Sequence, residues 1–209
     1  MLNWGIFMKI LVIYYSMYGN TFELAKHVVK GAKSVEGAEV GIKQVPDLLP
    51  REVIEANPRI QQAKEMQKDI PVAKVQELAD YDAIIWGTPT RYGNMTAQMK
   101  NFIDQTGSLW NQGKLENKVT GVFTSTSSIH GGQETTILTS MVPLFHLGMI
   151  IVGVPYSVPE LLSTDRGGTP YGPSHVAGEK SDQPVTNDEA KIAFVFGKRI
   201  AEITKRILT

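Results

Sequence analysis

Four short runs of consecutive apolar residues punctuate the chain, at Ile10–Tyr15, Ala83–Trp86, Val119–Phe123 and Met149–Val154. A run without alternation suits a strand covered on both faces, as strands are in a parallel sheet. A weaker, alternating run at Val40–Val45 reads as an edge strand and takes second place in the chain order. Between these runs the period becomes helical. Phe22, Ala25, Val28, Val29 and Ala32 fall on one face after the first strand. Met95, Met99, Phe102 and Ile103 do so after the third, and Ile137, Met141, Leu144 and Phe145 after the fourth. The last helix carries Ile192, Phe196, Ile200, Ile203 and Ile207 on one stripe and opens with a capping box from Thr186 to Glu189. Strand and helix alternating in this way predict a doubly wound α/β sheet. No repeat or second domain interrupts it, so residues 1–209 read as a single domain.

Two segments break the rhythm. Pro46–Lys74 is polar, with Pro46, Pro50 and Pro58 and a short helical pattern from Arg59 to Lys68. Ser157–Pro184 is rich in glycine and proline and has no period. Both read as surface excursions, or as lids or subunit contacts.

Ligands of open α/β sheets collect outside the carboxyl ends of the strands, at the topological switch point. The loops expected there are small and polar. The first strand runs through Ser16, Met17, Tyr18, Gly19, Asn20 and Thr21 straight into a helix. Amides at a helix amino terminus favour an anion, Gly19 permits close backbone approach, and Ser16, Asn20 and Thr21 add neutral donors. The loop has neither the lysine of a Walker motif nor a G-x-G-x-x-G pattern. It therefore suits one terminal phosphate monoester.

The third strand leads into Thr88, Pro89, Thr90, Arg91, Tyr92, Gly93 and Asn94. The amides that follow Pro89 and Thr90 are expected to face the pyrimidine edge of a flavin, with Arg91 near the charge that develops there on reduction. Tyr92 and Trp110 offer aromatic planes for stacking, although Tyr92 as ordinary core and Trp110 as a loop anchor remain open. The fourth strand ends in Ser125, Thr126, Ser127, Ser128, Ile129, His130, Gly131 and Gly132.

Composition then removes alternatives. Of 209 residues, 21 are Lys or Arg and 21 are Asp or Glu, a formal net charge of zero. That leaves no basic footprint for nucleic acid and no charged face for steering a partner. Cysteine is absent, which excludes disulfides, thiolate nucleophiles and cysteine-ligated clusters and suits the cytoplasm. The apolar opening Met1–Phe7 is too short for a signal peptide or a membrane span, and Met8 offers a second start. The four histidines have no metal-ligand spacing, so no metal is expected. His175 has no evident partner, and His146 suits a helix cap and a cofactor-side role equally.

Taken together, Lys9–Thr21, Trp86–Met95, Gly131–Glu134 and Gly167–Gly172 resemble the WrbA family of NAD(P)H:quinone oxidoreductases. The resemblance runs in order from Met8 across nearly the whole chain. It implies a flavodoxin-like fold, a five-stranded parallel sheet in the order 2-1-3-4-5 with helices on both faces. It also implies FMN, NAD(P)H and quinone substrates, and a homotetramer with flavin sites near subunit contacts. By motif match the FMN phosphate falls on Ser16–Thr21, the ring on Thr90, Arg91 and Tyr92, and further contacts on Ser125–Gly131. The flavin-side histidine falls on His146, the nicotinamide-side tyrosine on Tyr18 and the quinone-side tryptophan on Trp110. The chain departs from the family at Leu147, where a second histidine is common, at Ser128, where glycine is common, and in a long Pro46–Lys74. The activity implied is two-electron, ping-pong hydride transfer from nicotinamide to quinone, with no side chain acting as a nucleophile. A one-electron carrier and a scaffold for a DNA-binding partner are the rival readings. Zero net charge opposes the first and the lack of a basic stripe opposes the second. No arginine stands out in the sequence for the ribose phosphate of NADPH.

Overall fold

The first strand, β1 (Met8–Tyr14), is apolar except at Lys9, the one residue of it left exposed. Burial on both faces makes it the centre of a sheet rather than an edge. The computed structural model, which describes residues 7–209, places it there. The apolar opening of the chain lies, but for Phe7, outside the described residues. On one side β1 pairs in parallel with β2 (Ala38–Gln44), none of whose residues is fully buried, as expected of an edge. On the other it pairs with β3 (Ala83–Pro89), and β3 pairs with β4 (Val119–Thr126), which is buried throughout. The order is β2-β1-β3-β4-β5, the flavodoxin-like arrangement.

The fifth position differs from the expectation. In place of a strand over Met149–Val154, β5 is only Ile150–Ile151, paired with Val119 and Thr120. A further strand, β6 (Ser174–Val176), pairs in parallel with Thr124–Thr126 at the other end of β4. Two pieces thus share one edge of β4. The chain leaves after β5 because the Val154 amide donates to the Pro170 carbonyl and not to β4. It returns where the Thr124 amide donates to the Pro173 carbonyl. The aperiodic Ser157–Pro184 stretch is therefore not wholly a surface excursion, since it completes the sheet.

Helices α1 (Asn20–Lys33) and, at the end of the chain, α8 (Asn187–Ile207) cover one face. Val28, Phe196 and Ile200 meet Ile10, Val12, Ile85 and Phe123 there. The Thr186–Glu189 capping box is present. On the opposite face α4 (Ala97–Asp104), α5 (Gly107–Asn111) and α6 (Gln133–His146) bring Met99, Phe102, Ile137 and Leu144 onto Leu11, Ile13, Trp86 and Val122. Phe145, expected on the buried face of α6, is exposed. Leu144 takes the sheet-facing direction, and the next residue points about 100° away. The Pro46–Lys74 segment contains α2 (Arg51–Glu55) and α3 (Pro58–Met66). The return loop holds α7 (Glu160–Ser163).

Helices α1 and α8 cross at two glycines. A Cβ added at Gly31 would lie 1.9 Å from the Phe194 carbonyl oxygen, and one at Gly197 would lie 2.0 Å from that of Val28. Neither distance is physically possible, and both obstacles are backbone. Gly197→Ala should therefore destabilise the fold by about 1–3 kcal/mol through forced separation. This outweighs the roughly 1 kcal/mol that alanine gains over glycine in a helix. Urea unfolding decides, and an unmoved or raised midpoint would disprove the tight crossing.

Candidate functional site

Gly19 sits at φ 89° and ends the first loop, so α1 begins abruptly five residues after β1 stops. A left-handed turn of this kind is inexpensive only for glycine. Its consequence is that the first-turn amides of α1, which have no intrahelical acceptor, face the region above the strand ends. One of them, the Phe22 amide, donates to Ser16 Oγ at 3.2 Å, which leaves the serine hydroxyl proton free to donate elsewhere. The Thr21 hydroxyl is buried at 1% residue exposure and has no hydrogen-bond partner. An orphaned hydroxyl is costly in a folded interior, by about 1–3 kcal/mol, unless a ligand completes it.

These groups border a cavity of about 420 Å³ over the carboxyl ends of β1, β3 and β4. Ser16, Met17, Tyr18, Asn20 and Thr21 form one side; Pro89, Thr90 and Arg91 form the second. Ser125, Thr126 and Ser127 form the third. Ala177 and Ser181, which the sequence did not suggest, close the fourth. Asn20 Nδ2 donates to the Ser181 carbonyl at 3.1 Å and so ties the fourth wall to the first.

Around β3 the structure corrects one expectation. The Thr90 amide donates to the Ser125 carbonyl at 2.9 Å and the Arg91 amide to the Asn94 carbonyl at 2.8 Å. Both amides are consumed in holding the loop, so neither is available to a ring edge. What the loop presents instead is the Arg91 side chain, whose guanidinium donates to the Thr90 carbonyl at 2.9 Å and lies 3.3 Å from Met17 Sδ. Arg91–Asn94 is a tight turn with Tyr92 at φ 55° and Gly93 at φ 77°. Two successive positive φ values make it type I′-like, and the turn aims Tyr92 fully into solvent. Tyr92 is neither core nor part of the cavity lining.

The remaining residues scatter. Ser128, Ile129 and His130 are exposed beyond the third wall, and the Gly131 amide closes their turn onto the Ser128 carbonyl. His146 ends α6, which starts beside the cavity and runs 14 residues back along the sheet, about 20 Å. It therefore lies by the amino end of β4, where the Asn117 amide meets the Gly148 carbonyl. Trp110 lies in α5, on the way to that same edge, and is 59% exposed. Within one chain neither residue reaches the cavity.

Residues 8–160 match the family model for NADPH-dependent FMN reductase. A protein from Aromatoleum aromaticum named NAD(P)H dehydrogenase (quinone) is 47% identical over 203 residues, covering 96% of this chain and 98% of its own. The chain belongs to the NADPH-dependent FMN reductase family. A relative of the same name from Acidithiobacillus ferrooxidans is 47% identical over 95% of this chain and 98% of its own. Among solved structures, a flavodoxin, WrbA-like protein from Agrobacterium tumefaciens superposes with a TM-score of 0.63 at 23% identity. That match covers 95% of this chain and 98% of the other. These findings agree with the WrbA resemblance in the sequence and with the flavodoxin-like fold.

In this family member the fourth wall depends on one buried carboxylate. Glu189 accepts from the His175 ring at Nδ1 (2.9 Å) and from the amides of Val176 (2.9 Å), Gly167 (3.1 Å) and Thr186 (2.8 Å). It thereby joins β6, the return loop and the start of α8. His175, without an evident partner in the sequence, is fully buried against it. The capping box was the one available signal, because it marks Glu189 as an acceptor for the Thr186 amide. Burial alone would raise the Glu189 carboxyl, but the hydrogen bonds from His175, Thr186 and Val176 outweigh it and hold the group below the ordinary carboxylate range.

A depressed folded value means stability that is present above the unfolded pKa, about 4.3, and lost as pH falls through the lower folded value. Glu189→Gln should cost about 1–3 kcal/mol at pH 7, since the amide NH2 that replaces one carboxylate oxygen faces N–H donors instead of accepting from them. The deficit should shrink as pH drops below about 4. Denaturant melts from pH 7 to pH 3 check this, and a deficit constant over that range would overturn it.

Proposed function

We infer that this protein is an FMN-dependent NAD(P)H:quinone oxidoreductase. The observation that carries the reading is the buried Thr21 hydroxyl, unpartnered at the start of α1 and bordering the cavity. A phosphate monoester satisfies it, together with Ser16, Asn20 and the first-turn amides. The donor set is neutral, which suits a terminal monophosphate held by direction rather than by cations. FMN therefore fits, with its phosphate on the Ser16–Thr21 side and its ring among Thr90, Arg91 and Ser125–Ser127. When bound, the flavin supplies hydride acceptance from nicotinamide and two-electron delivery to a quinone.

The chain's own part is binding, orientation and field. Arg91 is the one cation among the cavity-lining residues. It stabilises negative charge that develops near the β3 loop. Met17 and Tyr18 supply apolar surface over which an aromatic ring can lie. Tyr18 is assigned to the nicotinamide. The names of the curated relatives support the substrates, and zero net charge supports an enzyme over an electron carrier that docks by charge.

Assembly belongs to the same reading, as does a cytoplasmic location. Leu138, Val142 and Phe145 form an exposed apolar stripe on α6, and Trp110 is exposed on α5. An uncovered stripe of this kind suits contact with a second copy. Because Trp110 and His146 lie away from their own cavity, a homotetramer in which neighbours deliver them is the arrangement that gives both a role. Tyr92 and the Ser128–Gly131 turn, solvent-facing in one chain, suit the same contacts.

Released flavin should chromatograph as FMN, and Thr21→Val should weaken FMN binding by about tenfold to a hundredfold, the worth of a hydrogen bond to a charged group. Recovery of FAD, or unchanged affinity, would overturn the cradle. In anaerobic titration NADH should bleach the flavin and benzoquinone restore it. Trp110→Ala should raise the KM for benzoquinone while FMN content persists. A protein that is not bleached by NADH or NADPH is not this enzyme. A monomeric, fully active protein by sedimentation would remove the assigned neighbours.

A further inference from the structure

The long Pro46–Lys74 segment builds something beyond the flavin-sized cavity. Helix α3 is fastened to the end of β1 from two directions. Gln67 Nε2 donates to the Ser16 carbonyl at 3.2 Å and to the Ala63 carbonyl at 2.6 Å. Tyr15 donates to Asp47 at 3.2 Å, and Lys64 pairs with the same carboxylate. A second cleft of about 310 Å³ opens between α3 and the Ser181–Asp182 turn, and it shares Tyr18 and Ser181 with the first cavity.

Its charges are distinctive. Three cations of this segment are paired: Arg51 with Glu55, Lys64 with Asp47, Lys68 with Glu65. Arg59, the one cation lining the cleft, is not. Its guanidinium lies 5.6 Å from the Tyr18 ring centroid and, among the described residues, makes no ion pair. Stacking on an aromatic face fixes the plane of a guanidinium and leaves its edge donors free. A planar, pre-oriented fork of N–H groups is matched to a phosphate, which accepts two parallel hydrogen bonds. Across the cleft stands Asp182, a carboxylate with no ion pair among the described residues. A carboxylate in that position accepts from the hydroxyls of a ribose and repels a phosphate on it.

We propose that this second cleft holds the adenosine ribose of the nicotinamide dinucleotide, and that Arg59 selects the 2′-phosphorylated form. The inference rests on the quinone-oxidoreductase reading. A dinucleotide with its nicotinamide end over Tyr18 extends beyond a cavity already filled by a mononucleotide, and the cleft that shares Tyr18 receives the remainder. Arg59 favours NADPH and Asp182 favours NADH, so the pair sets the ratio between the two reductants.

The test measures kcat/KM for NADPH and NADH on the FMN-loaded protein with saturating benzoquinone. Alongside it, adenosine 2′,5′-bisphosphate is titrated by calorimetry, a readout independent of turnover. Arg59→Ala should lower the NADPH-to-NADH ratio at least about tenfold and weaken the bisphosphate by a similar factor. Asp182→Asn should move both in the opposite direction. A ratio and an affinity within about twofold of wild type in both variants would overturn the assignment. So would equal losses for both reductants in Arg59→Ala, which would reduce Arg59 to a support for Tyr18. Failure of the underlying reading is distinguishable, because wild-type protein would then bind the bisphosphate yet transfer nothing to benzoquinone.

Discussion

The site depends on one abrupt junction, the left-handed Gly19 that turns the short loop after β1 into α1. Because the helix starts so soon, its unsatisfied amides and the buried Thr21 hydroxyl point at one region above the strand ends. Everything else in the fold keeps that junction in place. The Gly31–Gly197 crossing packs α1 directly against α8 on the same face of the sheet. The Phe22 amide is fixed on Ser16, and Gln67 holds the Ser16 carbonyl from the other side. Donors fixed in this way need no reorganisation when an anion arrives, which is where preorganised sites gain affinity.

A cradle without a lysine has an electrostatic consequence. The helix terminus contributes about half an elementary charge, so a phosphate placed there as proposed would be held by several directed hydrogen bonds rather than by neutralisation. Directed bonds act over short range and require every wall to be present. The fourth wall, Ala177 and Ser181, hangs from β6 and therefore from Glu189. A carboxylate buried with four donors on it is stable only while ionised. The cavity's completeness is thus coupled to a residue that does not line it.

The fold was legible because continuous apolar runs and 3.6-residue stripes each report burial directly. The sheet order, both helical layers and the Thr186 cap agree with that pattern. The first-strand loop was legible for a different reason, since Gly19 followed by Asn20 and Thr21 encodes a local backbone geometry. Other features depended on pairings that span the sequence and leave no period. Whether the Thr90 and Arg91 amides are free depends on Ser125 and Asn94 carbonyls, which only the folded loop brings near. Likewise the three-residue β6 is too short to show alternation, and His175 gains its partner from 14 residues away. Phe145 fits the stripe of α6 by spacing, but its neighbour Leu144 takes the sheet-facing direction and leaves it exposed.

These differences divide the molecule by mechanism. In the proposed reading, residues set by the β1 and α1 backbone receive the phosphate of the flavin mononucleotide. The walls of the second cleft come from the two segments without periodicity: α3 with Arg59 from Pro46–Lys74, and Ser181 with Asp182 from Ser157–Pro184. Arg59, Ser181 and Asp182 lie outside the two core clusters, so these positions can change side chains without disturbing the packing on either face of the sheet. Both segments are nevertheless anchored by buried polar bonds, through Gln67 in one case and Glu189 in the other. An excursion that were only a surface loop would not bury a glutamine side chain whose Oε1 lacks a partner. That cost is sustained because Gln67 holds the Ser16 carbonyl, and with it the first wall, in register with the helix that carries Arg59.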